Sequence, residues 1–339
     1  MEKKEFTKEY ADCDSASCSA KSSAMCGPAF APTPIEFFGN VGGAELYVKR
    51  DDLIPVAMGG NKVRIAAEIF AEMSRRGCDA VITYGSVTSN LNRAVALMAK
   101  DAGVKCYAIV KKDTCAVVEK LPLNYRLVLA SGAEVAETDS THVGETVARV
   151  LAESRARGEK PLYVYGDATG HGNEEVLSRA YKEVYGEILT QEQALFDGEY
   201  HFTEIFTAVG TGSTVSGLIA AAGGEGAVPG MTETGTVPGA AAGERHIIGI
   251  SVARSREAVL AAIGPEDERF TITDEYLAPT SLEDFCITTS LAHVMPLDPV
   301  YTGKALFGTM EEIRKRGITG KVLFLHTGGT PLYYDMLEK

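Results

Sequence analysis

Between residues 80 and 165 the chain repeats one pattern, a short apolar and β-branched run followed by a segment of helical period. No other feature constrains the fold as much. Residues 80–84, 106–110, 133–136 and 162–165 read as buried strands, with helices at 91–102, up to Gly132, and at 142–157. Strands separated by whole helices cannot pair as hairpins, so they lie parallel in a sheet covered on both faces. The alternation resumes beyond residue 171. A long amphipathic helix over 173–191 leads to a strand at 202–209, a helix from near Val215 and a strand at 247–252. Helices at 255–263, 281–293 and 303–316 and a last strand at 321–326 complete it. At 339 residues the chain is long for one core and suits two domains. The expectation is an α/β fold of two domains, each an open, twisted, mostly parallel sheet flanked by helices.

Folds of this class bind ligands where strand ends meet helix starts. One such place is the stretch KRDDLIPVAMGGNKVR from Lys49 to Arg64. Residues 46–50 read as a strand, Met58, Gly59 and Gly60 as a turn needing positive φ, and Asn61 as the N-cap of a helix to Arg76 closed by Gly77. Lys62 then sits at a helix start, whose partial positive charge disfavours a second cation and eases loss of its proton. A neutral amine is a nucleophile that forms a Schiff base with an aldehyde. An exposed turn with a solvated lysine is the alternative.

A second crevice follows the strand at 202–209, where Gly210, Thr211, Gly212, Ser213 and Thr214 open a helix. Backbone N–H groups and hydroxyls in such a loop cradle a phosphate. There is no Walker lysine and no full GxGxxG spacing, so a cofactor or mononucleotide phosphate fits better than an ATPase or dinucleotide site. A purely structural turn remains open. The third crevice, residues 85–90, is lined with hydroxyls and ends at Ser89 and Asn90; an N-cap cluster that only starts the next helix is its alternative. The buried run VLFLHTGGTP at 322–331 again ends in hydroxyls and glycines.

The formal charge of −13 repels nucleic-acid phosphate, and no basic stripe offsets it, so no nucleic-acid partner is expected. No apolar run is long enough to cross a bilayer, and the first residues lack the apolar core of a signal peptide. A cytoplasmic protein with no membrane partner is the expectation. Seven cysteines in such a chain do not read as a disulfide framework, and the spacing of Cys13, Cys18 and Cys26 matches no common metal site, so no metal is expected. Residues 223–243, rich in glycine and poor in large apolar groups, read as a mobile surface insertion, with a substrate lid as the alternative.

Five motifs occur in a fixed order: KRDD with GGNK and an arginine two on, Ser89-Asn90, GTGST at 210–214, DPVYTGKA at 298–305 and HTGGTP at 326–331. In that order the chain, from residue 31 to its end, resembles the pyridoxal-phosphate lyases related to D-cysteine desulfhydrase and 1-aminocyclopropane-1-carboxylate (ACC) deaminase. The resemblance implies fold type II, the tryptophan-synthase β-like arrangement, with pyridoxal 5′-phosphate on Lys62 between two domains. These would be a large cofactor-binding domain (31–64 and 171–339) and a small one (65–170), after a leader of residues 1–30. It implies a homodimer acting on a small amino acid.

It also implies roles for single residues. Lys62 would carry the cofactor and take the substrate's α-proton. Gly210 to Thr214 would hold the phosphate, Asn90 would brace the ring, and Asn61 would belong to the cofactor site. Thr327 or Thr302 would lie near the pyridine nitrogen, Ser89 at the substrate carboxylate or the moving proton, and Tyr301 at the leaving group as acid/base. The chain departs from the family pattern in three places. Leu91 stands where many relatives have glutamine, and Tyr276-Leu277-Ala278-Pro279 replaces a YGxP-like stretch that carries a second tyrosine. Thr302 stands where ACC deaminases have glutamate. The reaction expected is α,β-elimination from a D-cysteine-like amino acid to pyruvate, ammonia and hydrogen sulfide. ACC deamination, cysteate sulfo-lyase chemistry and cysteine-synthase-like β-replacement are the alternatives.

Overall fold

The computed structural model describes residues 30–112, 120–199, 201–223 and 245–338. The leader with Cys13, Cys18 and Cys26, and nearly all of the 223–243 insertion, lie outside the described residues. In chain order the elements are β1 (Ile35–Val41), β2 (Gly43–Arg50), α1 (Asn61–Arg76), β3 (Ala80–Ser86), α2 (Asn90–Ala102), β4 (Lys105–Lys111), α3 (Leu123–Ser131), β5 (Glu134–Thr138), α4 (Val143–Ala156) and β6 (Pro161–Tyr163). There follow α5 (Glu174–Leu195), β7 (Phe202–Val209), α6 (Ser213–Ala222), β8 (His246–Ser251), α7 (Arg256–Ile263), β9 (Phe270–Thr273), α8 (Leu282–His293), α9 (Thr302–Arg316), β10 (Thr319–His326) and α10 (Thr330–Leu337).

The strands form two sheets, one of six in the order β1-β2-β10-β7-β8-β9 and one of four in the order β5-β4-β3-β6. Every pairing is parallel except β1 with β2, which are joined by a tight turn. Burial of β10 on both faces explains its unbroken apolar run. Leu323 and Leu325 enter one core with α1, α2 and α5, while Val322 and Phe324 enter a second with α9. The helices α1 and α2 end on left-handed Gly77 and Gly103. Among the described residues, no helix is long and apolar enough to cross a membrane.

Three elements escaped the sequence reading. β1 is half-exposed and β9 has only four residues, so neither shows a buried run. α10 follows directly on the HTGGTP loop and docks on α3, where the Asp335 carboxylate accepts the Leu123 N–H at 2.9 Å. Only that docking distinguishes it from a fraying terminus.

Candidate active site

The loop before Lys62 is fastened from three directions. The Gly60 N–H donates to the Asp51 carbonyl (2.8 Å) and the Asn61 N–H to the Thr327 carbonyl (3.0 Å). Gly60 has φ +94°, and a side chain there would begin 2.7 Å from the Thr327 oxygen and 3.1 Å from the Gly328 Cα, so the two glycine loops can approach only as glycines. From α2 the buried Arg93 donates to the carbonyls of Ala57 and of Gly59 (3.2 Å).

The KRDD motif faces away from the reacting space and anchors this loop. Asp51 accepts from Arg64 (2.9 and 3.1 Å), Thr33 (2.8 Å) and Tyr181 (2.5 Å). Burial alone would raise its pKa, but the Arg64 charge and these donors outweigh it and hold the carboxyl below its ordinary value. Lys49 pairs with Glu187 and donates to the Thr33 carbonyl at 2.6 Å.

Lys62 therefore projects from a rigid platform. Its amine has no hydrogen-bond partner among the described residues and lines a cavity of about 310 Å³. Desolvation by the surrounding protein lowers its pKa from 10.5 to about 8. The same cavity is lined by Asn61, Ser89, Asn90, Tyr301, Thr327 and every residue from Gly210 to Thr214.

Asn61 differs from the sequence reading. It is the first residue of α1 rather than its cap, and its side chain donates across the cavity to Thr214 Oγ1 at 3.0 Å. The helix start at Lys62 is thereby tied to the loop that opens α6, whose Gly212 has φ +98°. The Thr327 hydroxyl has no partner among the described residues.

On the opposite wall Ser89 caps α2, its Oγ accepting the Asn92 N–H at 3.1 Å. Asn90 is gripped by a residue the sequence reading passed over. Asn124 of α3, fully buried, donates to the Thr88 carbonyl (2.8 Å) and to Asn90 Oδ1 (3.0 Å). This leaves the Asn90 amide N–H groups for the cavity. Leu91 lines the cavity as well, so the amide of the family's glutamine is absent from the wall itself.

The DPVY turn separates two neighbours. Asp298 is buried and accepts from the N–H groups of Val300 (2.9 Å), Tyr301 (2.7 Å) and Thr302 (3.0 Å). The Thr302 hydroxyl donates to the same carboxylate at 2.7 Å and accepts the Asp298 N–H at 3.0 Å. Thr302 thus starts α9, and it is not among the cavity-lining residues, whereas Tyr301 is. Burial, then the nearby Asp298, raises the Tyr301 pKa above 10.

Tyr276 points elsewhere, its hydroxyl donating to Glu312 at 2.9 Å within the core. Two further tyrosines, Tyr84 and Tyr165, do line the cavity, with ring centroids 6.5 Å apart. Burial, then Tyr84 and Tyr301, pushes Tyr165 up to about 12. Lys111, the last residue of β4, and Arg254, three residues beyond β8, also line the cavity and were likewise not anticipated. Among the described residues, no group of three or more His, Cys, Asp or Glu side chains is arranged to hold a metal ion.

The family model for pyridoxal-phosphate dependent enzymes matches residues 27–328. The chain belongs to that family. D-cysteine desulfhydrase from Salmonella schwarzengrund is 30% identical over 320 residues, which cover 90% of this chain and 93% of that protein. The solved structure of an ACC deaminase homologue superposes with a TM-score of 0.70 at 26% identity, covering 92% of this chain and 94% of that one. A hydrogen sulfide-producing enzyme from Fusobacterium nucleatum shares the fold, with a TM-score of 0.61 at 18% identity over 92% of this chain and 99% of that one. This is a pyridoxal-phosphate dependent enzyme of fold type II. Its likeness to these proteins is consistent with carbon–sulfur lyase or deaminase chemistry.

The residues present fit the family's cofactor. An unpartnered, desolvated amine suits its aldehyde, the helix start at Gly210 to Thr214 suits its phosphate, and the unpaired Thr327 hydroxyl suits a ring atom. The Asn124 contact carries a prediction. Asn124→Leu keeps the volume but frees Asn90, so kcat/KM should fall about tenfold, the scale of one lost hydrogen bond. The absorption maximum of the bound cofactor should shift while cofactor content holds. An unchanged spectrum and rate would show that Asn90 needs no such brace.

Proposed function

We propose that the chain catalyses α,β-elimination from a small β-substituted amino acid of the D-cysteine type, yielding pyruvate, ammonia and the leaving group. One observation carries this reading: among the described residues, no carboxylate lines the cavity. When bound, pyridoxal phosphate supplies an electron sink for the carbanion at the substrate α-carbon. With Thr302 spent on Asp298, the residue offered to the ring nitrogen is Thr327, and a hydroxyl donates to that nitrogen without protonating it. A weaker sink suffices where a good leaving group departs early. It suits less well a cyclopropane ring, whose opening leaves the charge on the cofactor. The absence of Tyr276 from the cavity supports the same preference.

In this reading the Lys62 amine, released when substrate binds, takes the α-proton, and Tyr301 gives a proton to the departing group. The N-terminus of α2 with Ser89 and Asn90 receives the substrate carboxylate. The test is a panel of D-cysteine, L-cysteine, cysteate, D-serine, β-chloroalanine and ACC, assayed for keto acid and ammonia. D-Cysteine or β-chloroalanine should be turned over well above ACC, and added sulfide should not divert the product to a substituted amino acid. ACC as best substrate would sink the argument from the missing carboxylate. Capture of an added nucleophile would move the chain to β-replacement.

A further inference from the structure

His326 closes β10, and the strand's alternation decides which way it faces. Val322 and Phe324 enter the core shared with α9, so His326, two residues on, turns to the same side, while Thr327 follows Leu325 to the side of the cavity. The His326 ring is fully buried and is not among the residues that line the cavity. Both of its nitrogens are engaged. Nε2 lies 2.9 Å from the Pro296 carbonyl, which can only accept, so Nε2 carries the proton. Nδ1 then offers a lone pair, and the Gly328 N–H donates to it at 3.2 Å. Asp52 Oδ1 lies 3.4 Å from the same Nδ1, but the two Asp52 oxygens already accept from Arg50, at 2.9 and 2.8 Å. That carboxylate has its cation and does not need one from the ring.

The Gly328 N–H belongs to the same planar peptide unit as the Thr327 carbonyl, which accepts the Asn61 N–H at 3.0 Å. That unit is therefore held at both ends, by the start of α1 and by the imidazole. Gly328 has φ +93°, and a glycine tolerates the flipped orientation of the peptide before it, so the backbone alone does not fix this unit. The ring in turn is fastened through Pro296, two residues before Asp298 and the turn that carries Tyr301. We propose that His326 is the positioning residue of this loop: by accepting the Gly328 N–H it stops the Thr327–Gly328 peptide from flipping, and so holds the Thr327 hydroxyl toward the place assigned to the cofactor's ring nitrogen. This rests on the assignment of Thr327 to that nitrogen, and not on which substrate is eliminated. Without Nδ1 the peptide keeps only its bond to Asn61, and the Thr327 hydroxyl is correctly aimed in only a fraction of the molecules.

The test compares His326→Asn with His326→Gln in the holoenzyme. An asparagine oxygen accepts the N–H two residues on, as Nδ1 does, but the side chain is too short for Pro296. Glutamine reaches Pro296 with its amide and leaves the Gly328 N–H without an acceptor. The absorption maximum of the bound cofactor should hold in His326→Asn and should move in His326→Gln to that of Thr327→Val. In His326→Gln kcat for D-cysteine should fall about tenfold with KM little changed, the scale of one lost hydrogen bond. Melting temperature should run the other way and fall further in His326→Asn, which leaves the larger space. A spectral shift in both variants, in neither, or in His326→Asn alone would make His326 a core residue only and overturn the proposal. An unchanged spectrum in Thr327→Val would overturn it at its premise. If D-cysteine is not turned over, the elimination reading falls, and the absorbance still decides the role of His326. In the parent apoprotein, nitrogen NMR should show His326 as the Nε2–H tautomer. A proton on Nδ1 would set two donors face to face at Gly328 and overturn the proposal without any variant.

Discussion

Lys62→Ala is expected to lower elimination at least about a thousandfold while leaving the fold intact, because in the proposed reading one side chain both carries the cofactor and moves the α-proton. The variant should still bind pyridoxal phosphate through the Gly210 to Thr214 loop, but borohydride should no longer fix it to the protein. Its apoprotein should melt no lower than the parent at pH 7. The folded chain holds the Lys62 pKa at about 8, below the ordinary 10.5, so between those values the unfolded chain keeps a proton that the folded chain gives up. The lysine's contribution to stability therefore rises with pH across that window, and below about 8 it is a constant penalty that alanine removes. In the parent apoprotein, attachment of the cofactor should accelerate with pH and level off near pH 8, since only the neutral amine attacks an aldehyde. A rate still rising at pH 10 would show a solvated lysine, and a Lys62→Ala protein of parental activity would remove Lys62 from the chemistry.

Tyr301→Phe is expected to keep cofactor content and slow turnover of D-cysteine by about a hundredfold or more, the scale of a lost general acid. The ring packs beside Gly210, its Cε1 3.6 Å from where a side chain there would begin, so the phenyl ring can keep its place and only the hydroxyl is lost. Burial and Asp298 hold that hydroxyl protonated, which makes it an acid rather than a base at neutral pH, and any loss of rate from its ionisation belongs above pH 10. Departing thiolate gains from a proton, whereas chloride does not. β-Chloroalanine should therefore suffer much less than D-cysteine. Equal losses for both would move Tyr301 from the leaving group to the α-carbon or the ring, and full retention of both would make it structural.

By itself the sequence determined what local pattern can carry. The strand and helix alternation imposed parallel sheets, and β7 and the end of α1 fall where periodicity and the following glycines place them. Glycine loops at helix starts marked Lys62 and Gly210 to Thr214, because the chemistry of a phosphate cradle is written in consecutive residues. Tertiary structure decided what depends on contacts between distant segments. It put Thr302 on Asp298 and left Thr327 facing the cavity, although both read alike as hydroxyls beside glycine. It turned Asn61 from its own helix to Thr214, and brought Asn124 to Asn90, 34 residues away. It made KRDD an anchor, since Lys49 and Asp51, besides nearer partners at Thr33 and Arg64, reach Glu187 and Tyr181 on α5, more than a hundred residues along the chain. Lys111 ends a strand of one sheet and Arg254 follows a strand of the other, and only the meeting of those sheets puts both around one cavity. Local propensity and spacing act within a few residues, whereas burial and pairing of polar groups are properties of the assembled core, which no short stretch of chain contains.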